Sequence, residues 1–477
     1  MTQPLTLHPD RLLPDTPSRR AIARELLDGI EALPIYSPHG HVPVEWFDAD
    51  FRFGNAADLL LTPDHYLLRM LASQGHRYED LGVSGAGSAG IAAPREAFRT
   101  LAANYHLYLG TPSRTWLDHA LSSVLSVEQR LSAETADAIF DQVTETVATP
   151  EFAPRALLGR FGVRVLSTTD SAVDDLSRHH RLAKELAGQC RVIPTFRPDS
   201  VTNPEHPDFA RDIARLGEQT GQNLSDWASY LEALRQRRAA FIAAGATATD
   251  HGFDTPHTLT LPMADCQTLL DAALSGRATK DQAAQFRAQM LTEMARMSAD
   301  DGLVMQIHAG SWRNYAPDIQ SRFGQDMGYD IPRPLNWAAG LKPMLDELGF
   351  HPNLRIILYT LDESGYGREL APLAGAFPTL RLGAPWWFFD SPAGMARQFD
   401  QVVETAGFHN LAGFVDDTRA LLSIPARHDV YRRSVAAFLS QQVGEHQMGM
   451  QDAHAVARAL AVELVQDSYR LNNTNEG

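Results

Sequence analysis

Two histidines one residue apart, His39 and His41, directly follow the apolar run Leu33-Pro34-Ile35-Tyr36. Side chains at i and i+2 of an extended strand point the same way, so this pair can bind one metal ion from one face. A third histidine, His308, closes the run Val304-Met305-Gln306-Ile307, and Asp416-Asp417 follows Leu411 to Val415. Neutral imidazoles and a carboxylate suit a divalent transition metal such as zinc or manganese. Lys184, Lys280 and Lys342 are the only lysines, and their scarcity disfavours a Schiff base or a carboxylated lysine bridging two metals. A mononuclear metal site is the expectation.

Eight short apolar runs must position these groups: Leu33 to Ser37, Val163 to Thr168, Arg191 to Phe196, Gly245 to Thr249, Leu303 to Ile307, Leu354 to Thr360, Thr379 to Ala384 and Leu411 to Val415. Near-continuous apolar runs read as strands buried on both faces, and their alternation with helical patterns implies βαβ units. The fold class is therefore α/β, a distorted (β/α)₈ TIM-type barrel with large helical insertions, and the whole chain, 1–477, reads as a single barrel domain. One insertion, 52–160, follows the first strand, with helical patterns over Ala57 to Leu71 and Ala133 to Val147. Another, 204–244, follows the third, and a further helical stretch runs from Met263 to Met297. The small-residue stretch Gly82 to Gly90 reads as a loop or hinge. Barrel enzymes keep their chemistry just after the strands, and polar residues gather there: Thr168-Thr169-Asp170, Arg197, Asp199, Asp250-His251, Arg313, Asn314, Asp362, Asp390 and Arg419.

The composition, 44% apolar and 21% charged over 477 residues, is that of a globular protein. A net charge of -16 argues against nucleic acid or an anionic membrane as partner, and makes local arginines the means of capturing any anionic substrate. Two cysteines are too few for a disulfide framework, and neither a secretory leader nor a membrane span is legible. A cytoplasmic homo-oligomer without a nucleotide cofactor is expected.

Ordered motifs from about residue 20 to about residue 440 resemble those of the uronate isomerase family of the amidohydrolase superfamily. They are Ser37-Pro-His-Gly-His41, Asp64-His-Tyr66, Thr168-Thr-Asp170, Pro194-Thr-Phe-Arg-Pro-Asp199, Asp250-His-Gly252, Gln306-Ile-His308, Leu358-Tyr-Thr360, Trp386-Trp-Phe388, Asp417-Thr-Arg419 and Arg427-His428. The resemblance implies exchange of D-glucuronate with D-fructuronate and of D-galacturonate with D-tagaturonate through a cis-enediol, on a small-molecule hexuronate substrate. It also implies His39, His41 and Asp417 as metal ligands, with His308, Tyr66, Arg197 and Arg419 around the sugar. Such chemistry needs one base serving both C1 and C2, and Asp417 and Tyr66 are the candidates. His65, Trp386, Arg313 and His251 are expected to line the substrate pocket. The chain departs from the family pattern in Ala309-Gly-Ser-Trp-Arg-Asn314 after His308, in Asp416-Asp417-Thr418-Arg419-Ala420 and in Gly40, where a cysteine is common.

Two other readings use the same residues. A metal-dependent hydrolase would activate water against a lactone, ester or amide, and a sugar-acid-binding protein would show saturation without product.

Overall fold

The computed structural model describes residues 3–88 and 90–472. The first seven apolar runs form strands, Ile35–Ser37, Val163–Ser171, Arg191–Arg197, Ala248–His251, Val304–His308, Ile356–Tyr359 and Leu380–Leu382. They lie side by side in this order in one 7-stranded sheet, every pairing parallel. The last run makes a single parallel bridge, Leu411 to Leu382. Beyond it His41 N–H donates to the Thr418 carbonyl at 2.9 Å, so residues 411–418 join the last strand to the first and close the ring. This segment is not a regular strand because Gly413 and Asp417 have φ of 77° and 42°, outside the extended region that a ladder needs. Gly413 has no alternative, since a Cβ there would lie 2.4 Å from Val465 Cγ2. The result is the expected (β/α)₈-type barrel, distorted at its eighth position.

Strands four, five and six are buried along their whole length, as a sheet covered on both faces requires. Val465, Tyr469 and Leu471 of the C-terminal segment pack against Val165, Ile193, Ala248, Val304 and Ile357, near the strands' N-terminal ends. They seal that end of the barrel and leave the opposite end for chemistry.

Between the first and second strands lie helices Ala56–Leu60, His65–Ser73, Pro94–Ala103, Pro112–His119, Ala136–Val147 and Pro154–Arg160. The helix expected over Ala57 to Leu71 is two helices. Pro63 lacks the N–H that a continuous helix would use, and Asp64 starts the second by accepting from Tyr66 N–H at 2.9 Å and Leu67 N–H at 3.3 Å. Residues 204–244 hold Phe209–Thr220 and Trp227–Ala243. The stretch Met263 to Met297 is also two helices, Met263–Leu274 and Lys280–Asp301; Gly276 (φ 67°) stands between them and a Thr279/Gln282 capping box begins the second. After the fifth strand comes an antiparallel hairpin that the sequence reading did not contain, Ser311–Trp312 with Ile331–Pro332, enclosing helix Pro317–Phe323. The loop read over Gly82 to Gly90 includes Ala89, which lies outside the described residues. Its Ala86 N–H donates to the Arg322 carbonyl at 2.6 Å, so it packs against the last turn of the helix between the two hairpin strands. Among the described residues no helix is long and apolar enough to cross a membrane.

Asp170, on the second strand, accepts from Thr168 Oγ1 at 2.7 Å, and Thr168 Oγ1 lies 2.8 Å from His179 Nε2. Burial pushes the Asp170 carboxyl up to about 7 and the His179 imidazole down to about 4. The unfolded Asp170 ionises near its ordinary value, so between there and pH 7 the folded state binds the extra proton and stability falls as pH rises. Asp170→Asn removes that loss. It should stabilise the protein by on the order of 3 kcal/mol at pH 8 and by much less at pH 4.5, read by denaturant titration at both. Equal effects at the two pH values would contradict the assignment.

A candidate metal centre in the barrel mouth

The first strand delivers His39 and His41, the eighth segment Asp417, the fourth strand Asp250 and the fifth His308. Both imidazoles of the first pair converge on one carboxylate oxygen: His39 Nε2 lies 3.3 Å and His41 Nε2 3.1 Å from Asp417 Oδ1. The His39 ring stacks on His308 with centroids 4.5 Å apart, and His308 stacks on Tyr359 at 4.2 Å. His308 Nδ1 lies 2.7 Å from Asp250 Oδ1, and Arg197 Nη1 lies 3.2 Å from Asp250 Oδ2. Nδ1–H therefore donates to Asp250, and Nε2, which is buried and has no hydrogen-bond partner, carries the lone pair.

Burial raises the Asp250 carboxyl, yet Arg197 and His308 more than reverse it and hold the group well below its ordinary range. Asp417 behaves alike: burial raises it, and His39 and His41 hold it well below. Burial keeps His41 and His308 below the ordinary imidazole value, whereas Asp417 lifts His39 above it against the same burial. Ionised carboxylates beside His41 and His308, which burial keeps neutral, suit a divalent cation, and such a cation would take the place of the proton that Asp417 favours on His39. Among the described residues two groups have ligand atoms near enough together to hold an ion, His39–His41–Asp417 and His39–Asp250–His308. In the second group the carboxylate and imidazole stand 2.7 Å apart, closer than the 3.1 and 3.3 Å of the first, so the first has more room for a cation.

These residues line a cavity of about 610 Å³ together with His65, Tyr66, Arg197, Arg313, Trp386 and Arg419. Asp64 puts His65 and Tyr66 in the first turn of their helix. His65 Nε2 accepts from Trp387 Nε1–H at 2.7 Å, and burial takes the His65 imidazole down to about 3. Burial raises the Tyr66 phenol well above its ordinary value, which keeps it protonated. Trp386 meets His308 edge to face at 5.0 Å, and the Arg313 guanidinium lies 5.9 Å from the Trp386 ring centre. Arg313 also pairs with Asp330, and Arg419 with Asp326 at 2.7 Å.

His251 is the expected pocket residue that the structure places elsewhere. Its ring is buried beside the Thr249 hydroxyl at 2.9 Å and is not in the cavity wall. Strand alternation explains this, since Asp250 faces the site and its neighbour must face away. In the sequence Asp250 stands out only as one of the polar residues that close the apolar runs. Its partnership with His308 and Arg197 was knowable only from three-dimensional proximity. The buried Arg427–Asp390 pair was likewise not read from the sequence, although both residues were noted; Arg427 also lies 3.6 Å over the Trp116 ring. None of the lysines lines the cavity.

Comparison with known proteins gives one consistent result. The family described as glucuronate isomerase matches residues 17–468. A uronate isomerase of Phenylobacterium zucineum is 52% identical over 472 residues, 99% of this chain and 98% of that one. The crystal structure of glucuronate isomerase from Caulobacter crescentus superposes with a TM-score of 0.97 at 47% identity, covering 99% of each chain. The uronate isomerase structure from Thermotoga maritima follows with 0.90 at 27% identity, covering 97% of this chain and 99% of that one. A match of this extent, on a barrel with this site at its mouth, makes the chain a member of the glucuronate isomerase family.

Proposed function

We propose that the protein interconverts hexuronate aldoses and ketoses, D-glucuronate with D-fructuronate and D-galacturonate with D-tagaturonate, through a cis-enediol. The observation that carries this is the convergence of His39 and His41 on Asp417 in a cavity that also holds Arg197, Arg313 and Arg419. The names of the relatives give the substrate class. The helical insertions supply much of the wall: His65 and Tyr66 come from 52–160, and Glu205, Arg211 and Arg215 from 204–244.

The reaction moves two protons, from C2 to C1 and from O2 to O1. Asp417 is the base for the carbon-bound proton. It is ionised, both imidazoles meet its Oδ1, and it can take the C2 proton and return it to C1 on the same face. Tyr66 stays a phenol and is suited to donate a hydrogen bond, which leaves Asp417 as the base. His308 Nε2, its lone pair set by the Nδ1–H bond to Asp250, takes the O2 proton and delivers it to O1. A divalent cation, zinc or manganese, which His39, His41 and Asp417 would hold, would supply positive charge to offset the negative charge that develops on the enediolate oxygens.

Arg419 is the carboxylate ligand for the uronate. Arg419→Met should raise KM for D-glucuronate about 10- to 100-fold, the weight of a charge-assisted hydrogen bond, and leave inhibition by neutral D-glucose unchanged. Equal losses for both sugars would remove that role. The reaction class is tested by incubating the protein with D-glucuronate and weighing the product. A ketose of unchanged mass supports isomerisation; no ketose from D-glucuronate, with D-glucuronolactone converted to a product heavier by one water, contradicts it.

A further inference from the structure

Among the arginines that line the cavity, the three read as substrate contacts, Arg197, Arg313 and Arg419, all have carboxylate partners, and these differ in one respect. Arg197 pairs with Asp199 and Asp250, whose side chains are 14% and 2% exposed. Arg313 pairs with Asp330, 1% exposed. Arg419 pairs with Asp326, 32% exposed. A sugar carboxylate arriving at one of these three must either share a guanidinium with a protein carboxylate or displace it, and of their partners Asp326 stands most in reach of solvent to be displaced. Its surroundings are those of a bound anion. Burial raises its carboxyl, but Arg419, Arg313 and Arg197 together hold it below its ordinary range.

The local backbone supports exchange of this side chain. Asp326 has φ 61°, fixed by its N–H donating to Asn314 Oδ1 at 3.1 Å, and Gly324 and Gly328 flank it at φ 89° and 91°. On either side the loop is tied down. Tyr78 Oη donates to the Met327 carbonyl at 2.6 Å, Asn314 N–H to Asp330 Oδ1 at 2.6 Å, and Arg322 pairs with Glu79. Rotation of the Asp326 side chain alone would vacate Arg419.

We propose that Asp326 is a specificity-determining residue: it occupies the carboxylate position on Arg419 in the free protein and gives it up to the carboxylate of a uronate. The inference rests on the reading of Arg419 as the uronate's carboxylate ligand. The pair then acts as a filter, because only a ligand bearing its own carboxylate replaces what it removes, and a neutral sugar that dislodged Asp326 would leave Arg419 unpaired.

The test measures KM for D-glucuronate in Asp326→Asn and Asp326→Gly. Both replacements tolerate the left-handed backbone, so folding is not at issue. Each should lower KM about three- to fivefold, the competition that a half-exposed ion pair can exert. A KM unchanged or raised in both variants overturns the proposal. Arg419→Met separates the two levels. If it raises KM selectively for the uronate while the Asp326 variants do not lower it, only the Asp326 role fails. If it does not, the carboxylate reading fails with it.

Discussion

Asp417→Asn should lower kcat at least about 10³-fold while the melting temperature stays within a few degrees of the parent. The size follows from combining two losses. The amide cannot accept the C2 proton, and general-base catalysis alone is worth about 10²–10⁴. It also replaces the ionised oxygen on which His39 and His41 converge. The fold should survive because Asp417 sits at φ 42°, a conformation that asparagine adopts more readily than most residues. Turnover within tenfold of the parent, from a folded and metal-loaded variant, would show that another group is the base.

His39→Ala should have a comparable effect by a different route. It removes one of the two imidazoles on Asp417 and the ring stacked on His308 at 4.5 Å. With one neutral ligand gone, bound metal should fall from about one per chain to well under half, and turnover about 10³-fold. Metal analysis of the dialysed protein beside a rate measurement checks both. A variant with full metal content and near-parent activity would remove His39 from the centre.

Much of this arrangement was legible in the sequence because its signals are local. The eight apolar runs mark the eight barrel positions, since strands buried on both faces are mostly apolar until the polar residues near their C-terminal ends. His39, His41, His308 and Asp417 stand out because each closes such a run. Three features escaped for physical reasons. The eighth segment reads as a strand by composition, but Gly413 and Asp417 bend it out of the ladder, and what forces Gly413 is the remote Val465. The hairpin Ser311–Trp312 with Ile331–Pro332 is too short to leave a period. Asp326 belongs to a loop whose only local mark is the pair of flanking glycines, and its meeting with Arg419 spans 93 positions. His251 was misplaced for the opposite reason, that a motif was read as a unit although alternate strand residues face opposite ways.

The measurement that bears most directly on the account is a coupled assay of the purified protein with D-glucuronate and D-galacturonate, before chelation, after it, and after zinc or manganese is restored. The account predicts ketose formation from a uronate, its loss with the metal, and its recovery on reloading. A folded, metal-loaded protein that forms no ketose from either sugar would contradict it.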